Sequence, residues 1–271
     1  MNNEELKDKL DELANWFTKR KGSIVAFSGG IDSALVLFLA RKFQGKENTI
    51  GVISNSESLK QRDFNEAQAF CAQFDIHLEV IKTKELEDER YNQNPVDRCF
   101  YCKSHLFQDL NELSKQYPGF DVLSGTNIDD LGDYRPGINA ANQERVLSPL
   151  ADCALTKEAL RQIAKHFGLP NWNKPASPCL SSRIPYNQSV TAEKLKQVEL
   201  SEDILNSYGF EDVRVRHYGL IGRIEVKPAD FSKLRMVEKE VIEKIKALGF
   251  QDCEIDEEGL VSGKLNRAIN K

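Results

Sequence analysis

At 271 residues, 40% hydrophobic and 29% charged, the chain is long enough for two domains, or one large domain and a small one, and has the composition of a soluble globular protein. No apolar run reaches the length of a membrane span, and the start, Met1-Asn2-Asn3-Glu4-Glu5, lacks the basic and apolar regions of a signal peptide, so a cytoplasmic protein without membrane partners is expected. A net charge of -5 counts against nucleic acid as the main partner, since that affinity comes largely from Lys and Arg neutralising phosphates.

In chain order, residues 23–27 read as a strand, the segment Ser28-Gly29-Gly30-Ile31-Asp32-Ser33 follows, and residues 32–43 carry helical periodicity. Strand 49–53, helix 60–74, strand 77–81, helix 103–115 and strand 120–123 continue the alternation. It predicts a doubly wound α/β domain with a parallel sheet over residues 1–170. Residues 171–190, with Pro175, Pro178 and Pro185 among small polar residues, read as a linker or functional loop. Beyond it, helix 191–208, strands 213–217 and 223–226, helix 229–248 and strand 252–255 predict a small α+β domain over residues 191–271. Within it Tyr208-Gly209-Phe210 echoes Leu248-Gly249-Phe250, and a glycine after each helix followed by a covering Phe accounts for both.

The segment from Ser28 to Ser33 lies between an apolar strand and an apolar helix. Gly29 and Gly30 let backbone N–H groups converge on an anion, and the following helix adds its amides and dipole. Ser28 and Ser33 can donate to phosphate oxygens. Asp32 is the odd member, because a carboxylate repels phosphates unless it orients the loop or helps hold Mg²⁺. No Gly-Lys-Ser/Thr ends the segment, so it is not a Walker A loop.

Six cysteines in a reducing compartment are expected as thiols, ligands or reactive groups. Cys99 and Cys102 form a C-x-x-C at the expected start of a helix, beside Arg98 and Lys103, and Cys179 sits in the Pro-rich segment. Three thiolates suit a [4Fe–4S] cluster with one open iron. With His105 they equally suit zinc, and the spacing alone leaves the two metals even. Cys71, Cys153 and Cys253 have no such company and read as buried structural thiols.

The segment Ser28 to Ser33 resembles the SGGxDS signature of the N-type (PP-loop) ATP pyrophosphatases, whose fold is that of the adenine nucleotide alpha hydrolases. The resemblance implies ATP cleavage between the α- and β-phosphates and an adenylated intermediate. Further segments narrow it: Cys99-Phe100-Tyr101-Cys102-Lys103, Gly125-Thr126-Asn127, Asp133-Tyr134-Arg135-Pro136-Gly137, Ser148-Pro149-Leu150, the run from Lys174 through Pro178-Cys179-Leu180-Ser181-Ser182-Arg183 to Pro185, and Val213-Arg214-Val215-Arg216-His217. Together these resemble the LarE family of ATP-dependent sulfur transferases, which build the nickel-pincer nucleotide cofactor of lactate racemase.

That resemblance implies a substrate, pyridinium-3,5-biscarboxylic acid mononucleotide, whose carboxylates become thiocarboxylates. It implies ATP and Mg²⁺ as cofactors, with Gly125 beside the loop in the ATP site. It implies sulfur donated either sacrificially by Cys179 or, given the three-cysteine pattern, from a [4Fe–4S] cluster on Cys99, Cys102 and Cys179. Ser182, Arg183, Arg214 and Arg216 are then expected to bind substrate phosphate and carboxylates, with Glu202, Glu225 and Asp230 lining the same site. Asp130, Asp133 and Arg135 are expected on the ATP side, with capping or salt bridging the equal alternative. A homo-oligomer, assembled with help from the small domain, is also implied, and no sulfide donor is named. Two other readings compete: a tRNA thiolation enzyme, against which the negative charge counts, and a non-catalytic nucleotide-binding or sulfur-carrier module.

Overall fold

Apolar residues alternate along four short strands so that each strand serves two layers of helix. In the computed structural model, which describes residues 1–132, 135–175, 177–261, 263, 264 and 267, the elements in chain order are α1 (Asn3–Thr18), β1 (Gly22–Ala26), α2 (Ile31–Gln44), β2 (Thr49–Ser54), α3 (Gln61–Gln73), β3 (His77–Ile81), α4 (Glu89–Asn92), α5 (Arg98–Ser114), β4 (Phe120–Leu123), α6 (Pro136–Gln143), α7 (Pro149–Asp152), α8 (Lys157–His166), α9 (Ala192–Ser207), β5 (Val213–Tyr218), β6 (Ile221–Val226), α10 (Phe231–Lys246) and β7 (Asp252–Ile255). None of these helices is long and apolar enough to cross a membrane. Asp133, expected on the ATP side, lies outside the described residues, as do Tyr134 and Ala176.

The chain forms two units, Met1–Glu85 with Asp97–Ser177, and Leu86–Val96 with Pro178–Lys271. In the first, four strands pair in parallel in the order β3-β2-β1-β4. Period two sends Val25, Ile53 and Leu123 to one face, where they pack with Leu13 and Phe17 of α1, most of α2, Phe64 and Phe70 of α3, and Leu160 and Ile163 of α8. It sends Ile24, Ala26, Val52 and Val122 to the other, against Phe107 and Leu110 of α5 and Ala140 and Ala141 of α6. This is the expected doubly wound α/β architecture. Helices α1, α6, α7 and α8 come in addition to the expected ones. The apolar spacing Leu6, Leu10, Leu13, Phe17 explains the first, and Asn2 closes a capping box with Glu5 at its start. The helix expected from residue 103 begins at Arg98, which puts Cys99 in its first turn and Cys102 at the start of its second.

The second unit is the expected smaller α+β domain: β5 and β6 form an antiparallel hairpin, and β7 adds in parallel beside β6. Val213, Val215, Ile224 and Val226 pack with Leu205 of α9 and with Leu234, Val241 and Ile245 of α10. The segment Leu86–Val96 is stapled into this unit. Asn94 donates to the carbonyls of Ile184 (3.2 Å) and Pro185 (2.8 Å), and the Tyr91 hydroxyl lies 2.6 Å from that of Ser181. The boundary between units therefore falls inside the Pro-rich segment, between Ser177 and Pro178.

Candidate active site

Strand order places β2 and β4 on opposite sides of β1, so the sheet reverses its winding between β1 and β4, and ligands of such sheets bind outside the carboxyl ends of the strands at that point. The loop after β1 is the segment from Ser28 to Ser33. Gly29 has a φ of 74°, a left-handed conformation that glycine adopts without strain. Gly30 stands at the N-cap of α2 and no side chain caps that helix, so its first-turn amides stay open to an anion. The two serines organise the loop from within. The Ser33 hydroxyl accepts from the Ser28 N–H (3.1 Å), lies 3.0 Å from the Ser28 hydroxyl, and donates to the Gly30 carbonyl (3.1 Å).

The end of β4 closes over this helix start. A Cβ on Gly125 would lie 2.6 Å from the Ser33 nitrogen and 2.9 Å from the Asp32 carbonyl carbon, so only glycine permits the approach. Two residues on, the Asn127 amide donates to Asp32 Oδ1 at 3.0 Å. Its own Oδ1 accepts from the N–H groups of Asp129 (3.0 Å) and Asp130 (3.3 Å). Asp130 accepts from the Asn127 N–H at 3.1 Å and pairs with Arg135 at 2.9 Å, so for these two the salt bridge is what the structure contains. Lys157 completes the ring: its N–H donates to Asp129 (2.7 Å) and its ammonium grips both carboxylate oxygens of Asp32, Oδ1 at 2.6 Å. The carboxylate in the anion loop is therefore neutralised by a lysine 125 residues away in sequence. Nothing in the motif itself pointed to it. Asn171 likewise reaches the loop, donating to the Gly29 carbonyl at 3.3 Å.

Beside the loop, Lys174 pairs with Asp63 (2.8 Å) and Glu66 (2.7 Å) of α3, and Ser177 donates to Asp63 at 2.9 Å. Burial alone would raise the Asp63 carboxyl. Lys174, with Ser177, outweighs it and holds the group below its ordinary range.

At the start of α5, Cys99 is exposed and Cys102 half-buried; the neighbouring helix α6 lies close, since a Cβ on Gly137 would stand 3.0 Å from Lys103 Cγ and 3.7 Å from the Cys99 carbonyl. Cys179, exposed, opens the 3-10 turn Leu180–Arg183 of the second unit. Among the described residues no three His, Cys, Asp or Glu side chains are grouped to hold a metal ion. Cys71, Cys153 and Cys253 are buried, and burial pushes their thiols up to about 12, 11 and 12. They are inert packing groups.

In the second unit the expected substrate residues form a lattice of ion pairs. Arg183 is 0% exposed and forks onto both oxygens of Glu202, at 2.8 and 3.1 Å. Its remaining arm donates to the carbonyls of Pro178 (2.7 Å) and Cys179 (3.2 Å) and to the Ser182 hydroxyl (2.9 Å), so this guanidinium fixes the backbone on which Cys179 sits. Glu202 also accepts the N–H of Val215, on edge strand β5, at 3.2 Å. Arg216 pairs with buried Glu225 at 2.8 and 3.0 Å and donates to the Ser182 carbonyl at 2.7 Å. Glu225 stands opposite Arg214 in the β5–β6 register, yet its carboxylate goes to Arg216. Among the described residues Arg214 hydrogen-bonds only the Val213 carbonyl, at 2.7 Å. Burial, then the charge of Arg183, pushes Arg214 below the usual arginine range. Arg183 and Arg216 each face a carboxylate, Lys264 also stands 3.7 Å from Glu225, and Arg214 is the guanidinium of the three with no carboxylate bonded to it among the described residues. Asp230 stands apart at the start of α10.

Residues 4–101 match the family model described as NAD synthase. With the uncapped glycine loop at the switch point of a parallel sheet, this defines an ATP-dependent enzyme of the PP-loop class. An uncharacterized protein of Synechocystis is 38% identical over 268 residues, 98% of this chain and 100% of that protein. The pyridinium-3,5-bisthiocarboxylic acid mononucleotide synthase of Lactiplantibacillus plantarum is 34% identical over 247 residues, 91% of this chain and 90% of the synthase. An uncharacterized protein of Methanocaldococcus jannaschii is 31% identical over 246 residues, 91% of this chain and 92% of its own length. The chain belongs to the family of pyridinium-3,5-bisthiocarboxylic acid mononucleotide synthases, the LarE family.

Proposed function

We propose that this chain adenylates a carboxylate of pyridinium-3,5-biscarboxylic acid mononucleotide and replaces a carboxylate oxygen by sulfur, as a step toward the nickel-pincer cofactor of lactate racemase. The observation that carries the reading is the uncapped loop from Ser28 to Ser33, with Gly125 packed on it, in a chain 34% identical to a named bisthiocarboxylate mononucleotide synthase. A substrate carboxylate oxygen attacks the α-phosphorus, the α–β bond breaks, and pyrophosphate leaves into the amides of Gly29, Gly30 and the first turn of α2. A sulfur nucleophile then adds to the acyl carbonyl and AMP leaves, a far better leaving group than carboxylate oxygen. Mg²⁺ would be held here chiefly by the phosphate oxygens, since both oxygens of Asp32 already take the Lys157 ammonium.

Arg214, with Ser182 and the Arg183 and Arg216 pairs around it, is the site for the substrate's phosphate or second carboxylate, and Glu202 and Glu225 shape that site by holding Arg183 and Arg216. The donor chemistry of Cys99, Cys102 and Cys179 fits iron–sulfur ligation, two of the thiols lying one turn apart on a helix start. A [4Fe–4S] cluster on these three would supply sulfide at its open iron. Without it, the Cys179 thiolate attacks and its Cβ–S bond breaks with loss of the Cα proton, leaving dehydroalanine. The enzyme works as a cytoplasmic homo-oligomer.

The test is an anaerobic preparation assayed for iron, sulfide and zinc, then incubated with ATP and the biscarboxylated mononucleotide. AMP, pyrophosphate and a thiocarboxylate product are expected. Stoichiometric zinc without iron would remove the cluster, and loss of H₂S from the Cys179 peptide would assign the sacrificial route. Absence of AMP and pyrophosphate would reject the enzyme reading.

A further inference from the structure

Cys179 is exposed, yet the backbone around it is held almost peptide by peptide. The carbonyls of Pro178, Cys179, Ser181, Ser182, Ile184 and Pro185 each accept a hydrogen bond. A 3-10 turn as short as Leu180–Arg183 has too few bonds of its own to keep one shape, so its geometry is set by the groups around it. Two of these, Arg183 and Arg216, belong to the ion-pair lattice. The rest of the grip comes from a segment 90 residues earlier in the chain.

Tyr91, 1% exposed, brings its hydroxyl to 2.6 Å from that of Ser181, itself fully buried. Asn94, also fully buried, donates its one side-chain amide to the carbonyls of both Ile184 and Pro185. The carbonyls of Asn92 and Asn94 accept the N–H groups of Val190 and Asn187, each at 2.9 Å, so the segment lies along the chain that leaves the turn. Asn94 does this with a φ of 55° directly before Pro95. Few side chains other than Asn accept that left-handed conformation, and it persists where the surroundings over-determine it. Buried as they are, Tyr91 and Asn94 do not touch a substrate; they act through the turn.

We propose that Tyr91 and Asn94 are positioning residues for sulfur transfer: by clamping the turn Leu180–Arg183 and the chain after it, they fix the direction in which Cys179 presents its sulfur. Resting on the reading that Cys179 carries or delivers sulfur, the role is the same for a cluster ligand and for a sacrificial thiol, since both need Sγ on a fixed line to its target. A misplacement of about 1 Å slows such a step by as much as about a hundredfold. Adenylation makes no use of Sγ and should be indifferent to the clamp.

The experiment follows both half-reactions of the full chain in a single turnover, at saturating ATP and biscarboxylated mononucleotide: the rate of pyrophosphate release and the rate of thiocarboxylate formation. Tyr91→Phe keeps the ring and removes one oxygen. It should leave pyrophosphate release within about twofold of wild type and slow thiocarboxylate formation roughly tenfold, the worth of one hydrogen bond. Hydrogen exchange should quicken at the Ser182 and Ile184 amides and stay unchanged in α10. The double variant Tyr91→Phe with Ser181→Ala removes both hydroxyls and strands neither, so it should fold as stably as wild type and still transfer sulfur slowly. Asn94→Gly keeps the left-handed backbone, loses the amide and should show the same split. Wild-type transfer in Tyr91→Phe or in the double variant overturns the assignment. So does a parallel loss of both half-reactions with an earlier urea transition in all three variants, which would leave Tyr91 and Asn94 ordinary fold residues. A wild type that releases pyrophosphate but forms no thiocarboxylate would instead overturn the functional reading. In that case unaltered hydrogen exchange at Ser182 and Ile184 in the variants would still overturn the clamp.

Discussion

The phosphate loop and the arginine lattice both gather charge, but they do so in opposite ways. In the loop a contiguous run of small residues supplies backbone amides, and its one carboxylate is neutralised by a half-exposed lysine, so little charge is buried and the site stays open. In the lattice Arg183 and Glu202 are 0% and 2% exposed and are held by each other, by backbone groups and, for Arg183, by the Ser182 hydroxyl. The difference predicts different failures. A change in the loop should weaken ligand binding with modest loss of stability, whereas a change in the lattice should unfold the second unit first.

The largest effect is expected for Glu202→Ala, which strands the buried Arg183 guanidinium and frees the Val215 N–H. Removing one partner of a buried pair costs about 3–5 kcal/mol, visible as an earlier urea transition. A loss under about 1 kcal/mol would mean that the pair behaves as a surface bridge. Next comes acid. His217, 2% exposed, donates from Nε2 to Gln197 at 2.9 Å, and burial pushes its pKa down to about 4. The folded state keeps it neutral while the unfolded chain takes a proton below its ordinary value near 6.5. Its contribution is complete above that value and is lost as pH falls toward 4, at about 1.4 kcal/mol per unit. Urea midpoints for wild type and His217→Asn, compared between neutral pH and about pH 5, should show the steeper fall in the wild type. Parallel slopes would remove His217 as the cause.

Gly125→Ala comes third. Its Cβ would meet the backbone of Asp32 and Ser33 at 2.6–2.9 Å, so either β4 or the start of α2 must shift. Such overpacking costs about 1–3 kcal/mol. Because the shift lands on the loop, ATP affinity should fall by more than the stability loss explains. A variant that binds ATP as the wild type does would show that the loop tolerates movement.

The contrast between the regions also explains what could be read in advance. The loop was legible because strand, glycines, serines and helix are consecutive, and the alternation of apolar runs gave the parallel sheet and the helices α2, α3 and α5. The start of α5 was placed five residues late, at 103 instead of 98, because Arg98 and Cys99 break the apolar spacing on which periodicity depends. Lys157 was not legible: a Thr-Lys pair at a helix start signals only a cap, and its distance from Asp32 in sequence hides the ion pair. In the lattice, period two put Arg214 and Arg216 on one face, but it could not show that Glu225 would choose Arg216 over Arg214 opposite it. Partner choice among buried charges is decided by packing, which no local pattern encodes.

The smallest stability effect belongs to Arg214, and that makes it the sharpest probe of the lattice. Arg216 and Arg183 are held by carboxylates, so their loss would confuse folding with binding. Arg214→Gln removes a half-buried cation that repels Arg183 and Arg216 and has no carboxylate bonded to it among the described residues. The lost attraction to Glu202 and the relieved repulsion oppose each other, so unfolding should shift by less than about 1 kcal/mol in either direction. Binding should not be spared, because this guanidinium has four of its five N–H donors left for an anion and no carboxylate bonded to it among the described residues. Binding of the biscarboxylated mononucleotide, measured without ATP, should weaken by roughly tenfold or more, and Arg214→Lys should restore charge without the fork and recover only part of it. If Arg214→Gln unfolds the second unit as Glu202→Ala does, Arg214 is a structural member of the lattice like its neighbours, and the substrate's anion is bound elsewhere.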